Sequence, residues 1–255
     1  MTRSALALLG LLALPAALAA QDRPLLSGEP ALERLPEHRF ALTPFIGVRL
    51  PSGGGDFVVL TEGGDQFRFE NDRGGSTIIG LNADVRVAGP WSIVLGGAYS
   101  GAQQDEYTVS FPGDSATDVF EIDGPAMWFA KAGVQVRLPD PIPDNRRFHP
   151  SAFVTVAPSM VWLDHGDSDV EALGGTTRHF ALNIGADAMA RFGRSESWAF
   201  TLGLEDFLAF WSEDDLSARE VAIAQIYAGE PVVVDFDSSY SNIFVLRFGV
   251  SYRFR

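Results

Sequence analysis

The chain has 255 residues, 46% of them hydrophobic, a formal net charge of −14 and no cysteine. Lack of cysteine excludes disulfides, thiolate metal sites and lipoprotein attachment, and the acidic balance excludes nucleic acid, whose binding needs a basic surface. A length of this order holds one large all-β domain or two ordinary ones.

Residues 1–20, MTRSALALLGLLALPAALAA, place Arg3 before an apolar run that ends in Ala17-Leu18-Ala19. This is the layout of a cleaved export signal. The run is too short for a membrane helix, which needs about 20 apolar residues. Residues 21–38, QDRPLLSGEPALERLPEH, are Pro-punctuated and mixed in polarity, and read as an N-terminal tether.

From residue 39 onward the pattern has period 2. Eight strands are predicted near 39–50, 76–88, 91–100, 126–138, 150–163, 178–192, 198–211 and 241–254. In the sixth, Phe180, Leu182, Ile184, Ala186, Ala188, Ala190 and Phe192 alternate with His179, Ala181, Asn183, Gly185, Asp187, Met189 and Arg191. The second sets Ile79, Leu81, Ala83, Val85 and Val87 against Gly80, Asn82, Asp84 and Arg86. The fourth sets Trp128, Ala130, Ala132, Val134 and Val136 against Phe129, Lys131, Gly133, Gln135 and Arg137.

The connections alternate in length. Short ones fall at Gly89-Pro90, 139–149 and 193–197; long ones occupy 51–75, 101–125, 164–177 and 212–240. Short turns at one end and long loops at the other describe an up-and-down antiparallel barrel in an outer membrane, with turns periplasmic and loops extracellular. Further alternation in DFVVLTEGGDQFRFE and EYTVSFPGDSATDVFEID predicts hairpins standing above the membrane. Extra spanning strands, giving a ten- or twelve-stranded barrel, are the other reading.

Alternation is common to membrane barrels and to soluble ligand-binding barrels of lipocalin type. The membrane reading is favoured by a non-apolar face of Gly, Ala, Ser, Asn and isolated charges, which suits a narrow lumen. It is favoured also by aromatic residues near strand ends, including Phe40, Trp91, Tyr99, Trp128, Trp162, Phe210 and Tyr252.

The last strand reads FVLRFGVSYRFR. Its Arg247-x-Gly249-x-x-Tyr252-x-Phe254 resembles the C-terminal assembly signal of bacterial outer-membrane barrels. Arg255 follows where that family usually ends on the aromatic. The resemblance implies recognition by the barrel-assembly machinery, with Phe244, Leu246, Phe248, Val250, Tyr252 and Phe254 facing lipid. Over about 39–254 the architecture is similar to the small OmpA/OmpX-like barrels of Gram-negative bacteria, most simply an eight-stranded monomer in contact with outer-membrane lipid and lipopolysaccharide. No family-wide functional motif accompanies that resemblance.

The four long connections are acidic, with only Arg68, Arg73 and Arg219 as basic residues. The plain reading is a solvated, self-repelling surface. The sharper one is capture of divalent cations or cationic ligands, for which Asp164, Asp167, Asp169 and Glu171 are the densest carboxylates; that stretch lacks the glycine placement of an EF-hand loop. Arg49, Asp84, Arg86, Lys131, Arg137, Asp187, Arg191, Glu205, Arg247 and Arg253 point to the lumen, where they must pair or stay hydrated. Eight strands leave an interior that side chains can fill, so a salt-bridged plug is expected; Glu205 against Lys131 or Arg247 would be the gate of a narrow ion channel.

Outer-membrane barrel enzymes include lipid A acyltransferases and deacylases and the omptin proteases. Here His165 and His179 fall near the outer rim with Asp164, Asp167 and Ser168, yet align with none of those families' motifs. The expectation is a non-enzymatic barrel without cofactor, structural or interactive at the cell surface.

Overall fold

The computed structural model describes residues 39–254 apart from 54, 114–116, 139–148, 169, 171–172, 193–196, 212 and 238–239. The predicted signal, the tether, Arg255 and most of the two longer predicted short turns lie outside the described residues.

Eight antiparallel strands close into a barrel: β1 (Phe40–Arg49), β5 (Ser76–Ala88), β6 (Trp91–Ser100), β9 (Ala126–Arg137), β10 (His149–Asp164), β11 (Thr176–Phe192), β12 (Trp198–Phe210) and β14 (Tyr240–Phe254). Each pairs with the next barrel strand along the chain, and β1 closes on β14 with Phe40 opposite Phe254 and Val48 opposite Leu246. This is the predicted up-and-down topology. A closed ring leaves no strand edge, the condition for backbone inside hydrocarbon. At Gly89 the β5–β6 turn needs a φ of 51°, which glycine supplies without strain.

The sorting of faces identifies the solvent. On β12, Phe200, Leu202 and Leu204 are 60%, 45% and 49% exposed, whereas Thr201 and Glu205, on the alternate positions, are buried. Ile79, Leu81, Ile93, Leu95 and Phe248 likewise face outward. Such a belt far exceeds the apolar patches that soluble proteins tolerate. The apolar face is therefore outside, which sets the lipocalin-type reading aside.

Aromatic rings border the belt. At the short-turn end, Phe40 lies 5.3 Å from Phe254, and Tyr252 lies 4.7 Å from both Trp198 and Phe254. At the long-loop end, Tyr99 lies 4.5 Å from Trp128 and Phe180 lies 6.0 Å from Phe210. From Trp91 to Tyr99 the strand runs about 26 Å at ~3.3 Å per residue, and from Trp198 to Phe210 about 40 Å. Tilted strands reduce these to a height of roughly 20–30 Å, the span of a bilayer's apolar layer.

The long loops build a second sheet. β2 (Ser52–Gly53), β3 (Phe57–Thr61), β4 (Gln66–Arg73), β7 (Gln104–Ser110), β8 (Thr117–Asp123) and β13 (Val232–Phe236) pair in the order β13-β3-β4-β7-β8, with β2 on β4. The hairpins β3–β4 and β7–β8 are those read from the sequence, but they also join each other through β4 and β7. Within 212–240, read as a loop, stands a helix, α1 (Glu213–Ala228). It ends at Gly229, whose φ is 73° and whose N–H donates to the Gln225 carbonyl at 2.8 Å, a left-handed helix stop. Ile223 and Ala224 of α1 bury against Phe57, Val59, Phe67, Phe69, Tyr107 and Val109. This cap has a core of its own, with Phe57 stacked on Phe69 at 4.9 Å.

Candidate functional site

The lumen is layered. In the centre, Glu205 of β12 meets two cations: Lys131 Nζ of β9 at 2.5 Å and Arg247 Nε of β14 at 2.7 Å. Arg247 also reaches both oxygens of Asp187 on β11 through Nη2, at 2.7 and 2.8 Å. Asn183 bridges the group, accepting from Lys131 and donating to Glu205, each at 3.4 Å. The Arg247 guanidinium lies 5.1 Å from the Phe45 ring. All four charged groups are buried, and two cations balance two anions.

Register explains why these strands can hold them. Gly203 lies opposite both Asp187 and Arg247, and Gly96 opposite Lys131. A Cβ at Gly203 would overlap Asp187 Oδ1 and come within 2.9 Å of Arg247 Nε; one at Gly96 would lie 2.9 Å from Lys131 Cε. Small residues on neighbouring strands thus leave room for long charged ones to lie across the barrel.

Toward the long loops the interior turns apolar. Ile78, Met127, Phe129, Val161, Leu163, Phe207, Trp211, Ile243 and Val245 pack together, all buried, with Phe129 and Phe207 4.8 Å apart. Arg49 is fully buried at this outer end, away from the central ions, and donates to Ser76 Oγ and Met127 Sδ, each at 3.2 Å. His179 meets Trp211 edge-on at 4.3 Å and lies 2.9 Å from Thr177 Oγ1, while the Arg73 guanidinium of β4 sits 4.8 Å from the centroid of the same Trp211 ring. His165 follows β10; burial, with Arg219 and Arg73 nearby, pushes its pKa down to about 3.

Toward the short turns lie Arg86, Arg137, Arg191 and Arg253, with Asp84 between them and the central cluster. Of the ten charges assigned to the lumen from sequence, Lys131, Asp187, Glu205 and Arg247 thus form one ion network. The other six divide between the two ends.

In the cap, Tyr107 donates its hydroxyl to Glu220 of α1 at 3.2–3.3 Å and accepts from Asn71 Nδ2 at 2.9 Å. All three are buried. Burial pushes the Glu220 carboxyl up, opposed by Arg219 and Arg73, and pushes the Tyr107 hydroxyl well up. The alternation pattern gives 212–240 as a loop and so does not predict this pair, which depends on α1. The signal was there in Ser212-Glu213-Asp214-Asp215 before an Ala-rich stretch ending at Gly229, an acidic helix start and a glycine stop.

Of the four loop carboxylates singled out for cations, Asp164 accepts from the Gly166 N–H at 3.0 Å, Asp167 is exposed, and Asp169 and Glu171 lie outside the described residues. Among the described residues no group of three or more His, Asp or Glu is arranged to hold a metal. In the assembly-signal segment, Arg247 points into the lumen and Tyr252 and Phe254 point out. A Cβ on Gly249 would lie 2.7 Å from Thr201 Oγ1 and 2.8 Å from the Pro44 carbonyl, so the strand packs there only with glycine.

No protein-family model matches this chain, and no curated protein is detectably similar in sequence. Among solved structures, it is similar to the outer membrane protein OprG from Pseudomonas aeruginosa at 14% identity and a TM-score of 0.43, covering 86% of this chain and 96% of that one. It is similar to the outer membrane protein AlkL in lipid bilayers at 14% and 0.42, covering 92% and 96%. Neisserial surface protein A aligns at 9% and 0.37, covering 84% and 97%. These likenesses are weak, and the barrel stands on its own strand pairing and exposed apolar belt.

Proposed function

We propose that this chain is a non-conducting, non-enzymatic outer-membrane barrel that carries a folded acidic cap at the cell surface, with a structural or surface-interaction role. The observation that carries the reading is the apolar layer across the lumen. Phe129, Val161, Phe207 and Ile243 are buried above the ion network, and a dry layer of packed side chains offers a hydrated ion nothing to replace its water. The Lys131–Glu205–Arg247–Asp187 network then serves as a plug that ties four strands together, not as a gate.

The export signal and the aromatic girdles support an outer-membrane location in contact with lipid and lipopolysaccharide. The acidic cap favours divalent cations and cationic ligands over anionic ones. The test is planar-bilayer conductance of the refolded protein at two salt concentrations. Silence from a fully folded barrel is expected; a steady conductance that changes in Glu205→Ala would replace this reading with the channel.

A further inference from the structure

We propose that the tip of the cap holds a binding site for a quaternary ammonium ion. A cavity of about 680 Å³ opens there, between the β3–β4 turn, the residues that follow β7 and the end of α1. That volume lies within the range of small-molecule sites. Phe67, itself buried, forms the floor. Phe111 and Tyr227 stand beside it, each ring centroid 5.8 Å from that of Phe67 and tilted to it by 50° and 58°. Both walls are held in place. Phe111 comes directly after the last β4–β7 pair, Arg68 opposite Ser110. Tyr227 stacks on Phe120 at 5.6 Å and donates its hydroxyl to Asp118 at 2.6 Å.

Two carboxylates stand at the rim. The Thr61 N–H donates to the Asp65 carbonyl at 3.0 Å, and Thr61 Oγ1 accepts from the Asp65 N–H at 3.2 Å, which fixes Asp65 beside the cavity. Glu230 follows the glycine stop of α1, and its carboxylate lies over the same turn: a Cβ on Gly63 would meet its Oε1 at 3.4 Å. Among the described residues neither carboxylate has a cationic partner, and no Lys, Arg or His lines the cavity. Aromatic faces attract the diffuse charge of a quaternary ammonium, which needs no hydrogen-bond acceptor, and the carboxylates add attraction at longer range. A hard metal ion instead needs a shell of oxygens, which two carboxylates do not close. A phosphocholine headgroup would bring its phosphate against the same carboxylates, so the ligand is a free cation. Such a site rests on the surface-interaction reading of the cap and supplies its ligand class. Bilayer conductance tests the barrel and ligand binding tests the cap, so either can fail alone.

The experiment titrates choline against the full barrel refolded in a maltoside detergent, which carries no ammonium group, at ionic strength held constant with potassium chloride. Line broadening of the trimethyl proton signal reports binding. The neutral isostere 3,3-dimethylbutanol and the zwitterion phosphocholine are the controls. Choline should bind, the isostere at least about tenfold more weakly, and phosphocholine more weakly as well. Phe111→Ala removes an exposed wall and should weaken choline roughly 2- to 30-fold. Asp65→Asn combined with Glu230→Gln should weaken it about 2- to 25-fold and narrow its lead over the isostere. No choline binding, equal binding of either control, or binding unchanged in both variants overturns the site. Protease protection checks that the cap is intact in each variant. Should Phe111→Ala lose it, Phe111→Leu keeps the bulk and removes only the aromatic face. Choline should again bind more weakly, and unchanged binding overturns the proposal.

Discussion

The barrel wall and the cap are made of the same period-2 strands, yet they sort their side chains in opposite senses. In the wall Leu202 and Leu204 face outward while Thr201 and Glu205 face inward. In the cap Phe57, Val59, Phe67 and Phe69 are buried under α1, while Glu70 and Asp72 on the same β4 face outward. Surroundings make the difference. In hydrocarbon an apolar exterior costs nothing and polar groups gather in the lumen, whereas in water the hydrophobic effect drives apolar groups together. Two solvents thus act on one chain, and the boundary runs through the outer girdle.

The largest effects should show whether wall and cap are separate cooperative units. Phe69→Ala removes a ring stacked on Phe57 and should cost the cap about 3–5 kcal/mol, exposing the 51–75 and 101–125 loops to protease. The folded barrel should keep its heat-dependent gel mobility. Loss of both together would mean that wall and cap unfold as one. Glu205→Ala is the counterpart inside the wall. It leaves Lys131 without its carboxylate and Arg247 with Asp187 alone, at about 3–5 kcal/mol, and should lower the urea midpoint of the barrel in lipid vesicles.

A charge placed on each exterior sharpens the contrast. Leu202→Arg puts a guanidinium in the middle of the lipid face and should destabilise by about 2–4 kcal/mol in vesicles. Val233→Arg, at a cap position that is 69% exposed, should change stability by less than about 0.5 kcal/mol. Equal costs at the two positions would contradict the assignment of lipid to one and water to the other.

How much of this was legible in the sequence differs between the same two regions. Every barrel strand could be read because one face of each is lipid-bound, which makes alternation uninterrupted over ten or more residues, as in 198–211. The two hairpins were legible from alternation around Gly63-Gly64 and Gly113. Their pairing through β4 and β7 was not, because Arg68 opposite Ser110 and Asp72 opposite Glu106 carry no sequence mark of adjacency. Helix α1 escaped because its apolar stripe is narrow: Ile226 is exposed while Glu220 is buried, so side-chain polarity does not track its faces. The apolar half of the lumen was hidden likewise. Phe129, Val161 and Phe207 stand on inward positions among polar neighbours, and only the ring closure brings them together.

That buried Glu220 gives the cap a pH dependence that the wall need not share. Its carboxyl pKa is raised by burial above the ordinary value of 4.5, with Arg219 and Arg73 opposing and Asp105 reinforcing the shift. A carboxyl that holds its proton more tightly when folded makes the folded state bind more protons than the unfolded one above pH 4.5. Stability therefore falls as pH rises from there through the raised value. Protease protection of the cap should decrease over that window, and Glu220→Gln, which keeps an acceptor for Tyr107, should flatten the profile and protect the cap at neutral pH. A profile that is the same in both chains would remove Glu220 as the cause.

The smallest effect belongs to the cap's surface ions. Arg68 pairs with Asp56 at 3.1 Å, Asp237 at 2.5 Å and Glu70 at 3.6 Å, linking β4 to the segments that flank β3 and β13. The guanidinium is held charged chiefly by its hydrogen bond to Asp56. Three carboxylates around one exposed cation look like a strong clamp, but water screens each pair, and such contacts contribute about 0.2–1 kcal/mol. Arg68→Ala should lower the cap's urea midpoint by that little, and the difference should vanish in 1 M salt, where screening acts over about 3 Å. The central Lys131–Glu205–Arg247 group has similar distances but is buried, so salt should leave the cost of Glu205→Ala nearly unchanged. Breaking the same ion-pair chemistry then costs several-fold more in the wall than in the cap, because only in the wall is the charge left behind shielded from water.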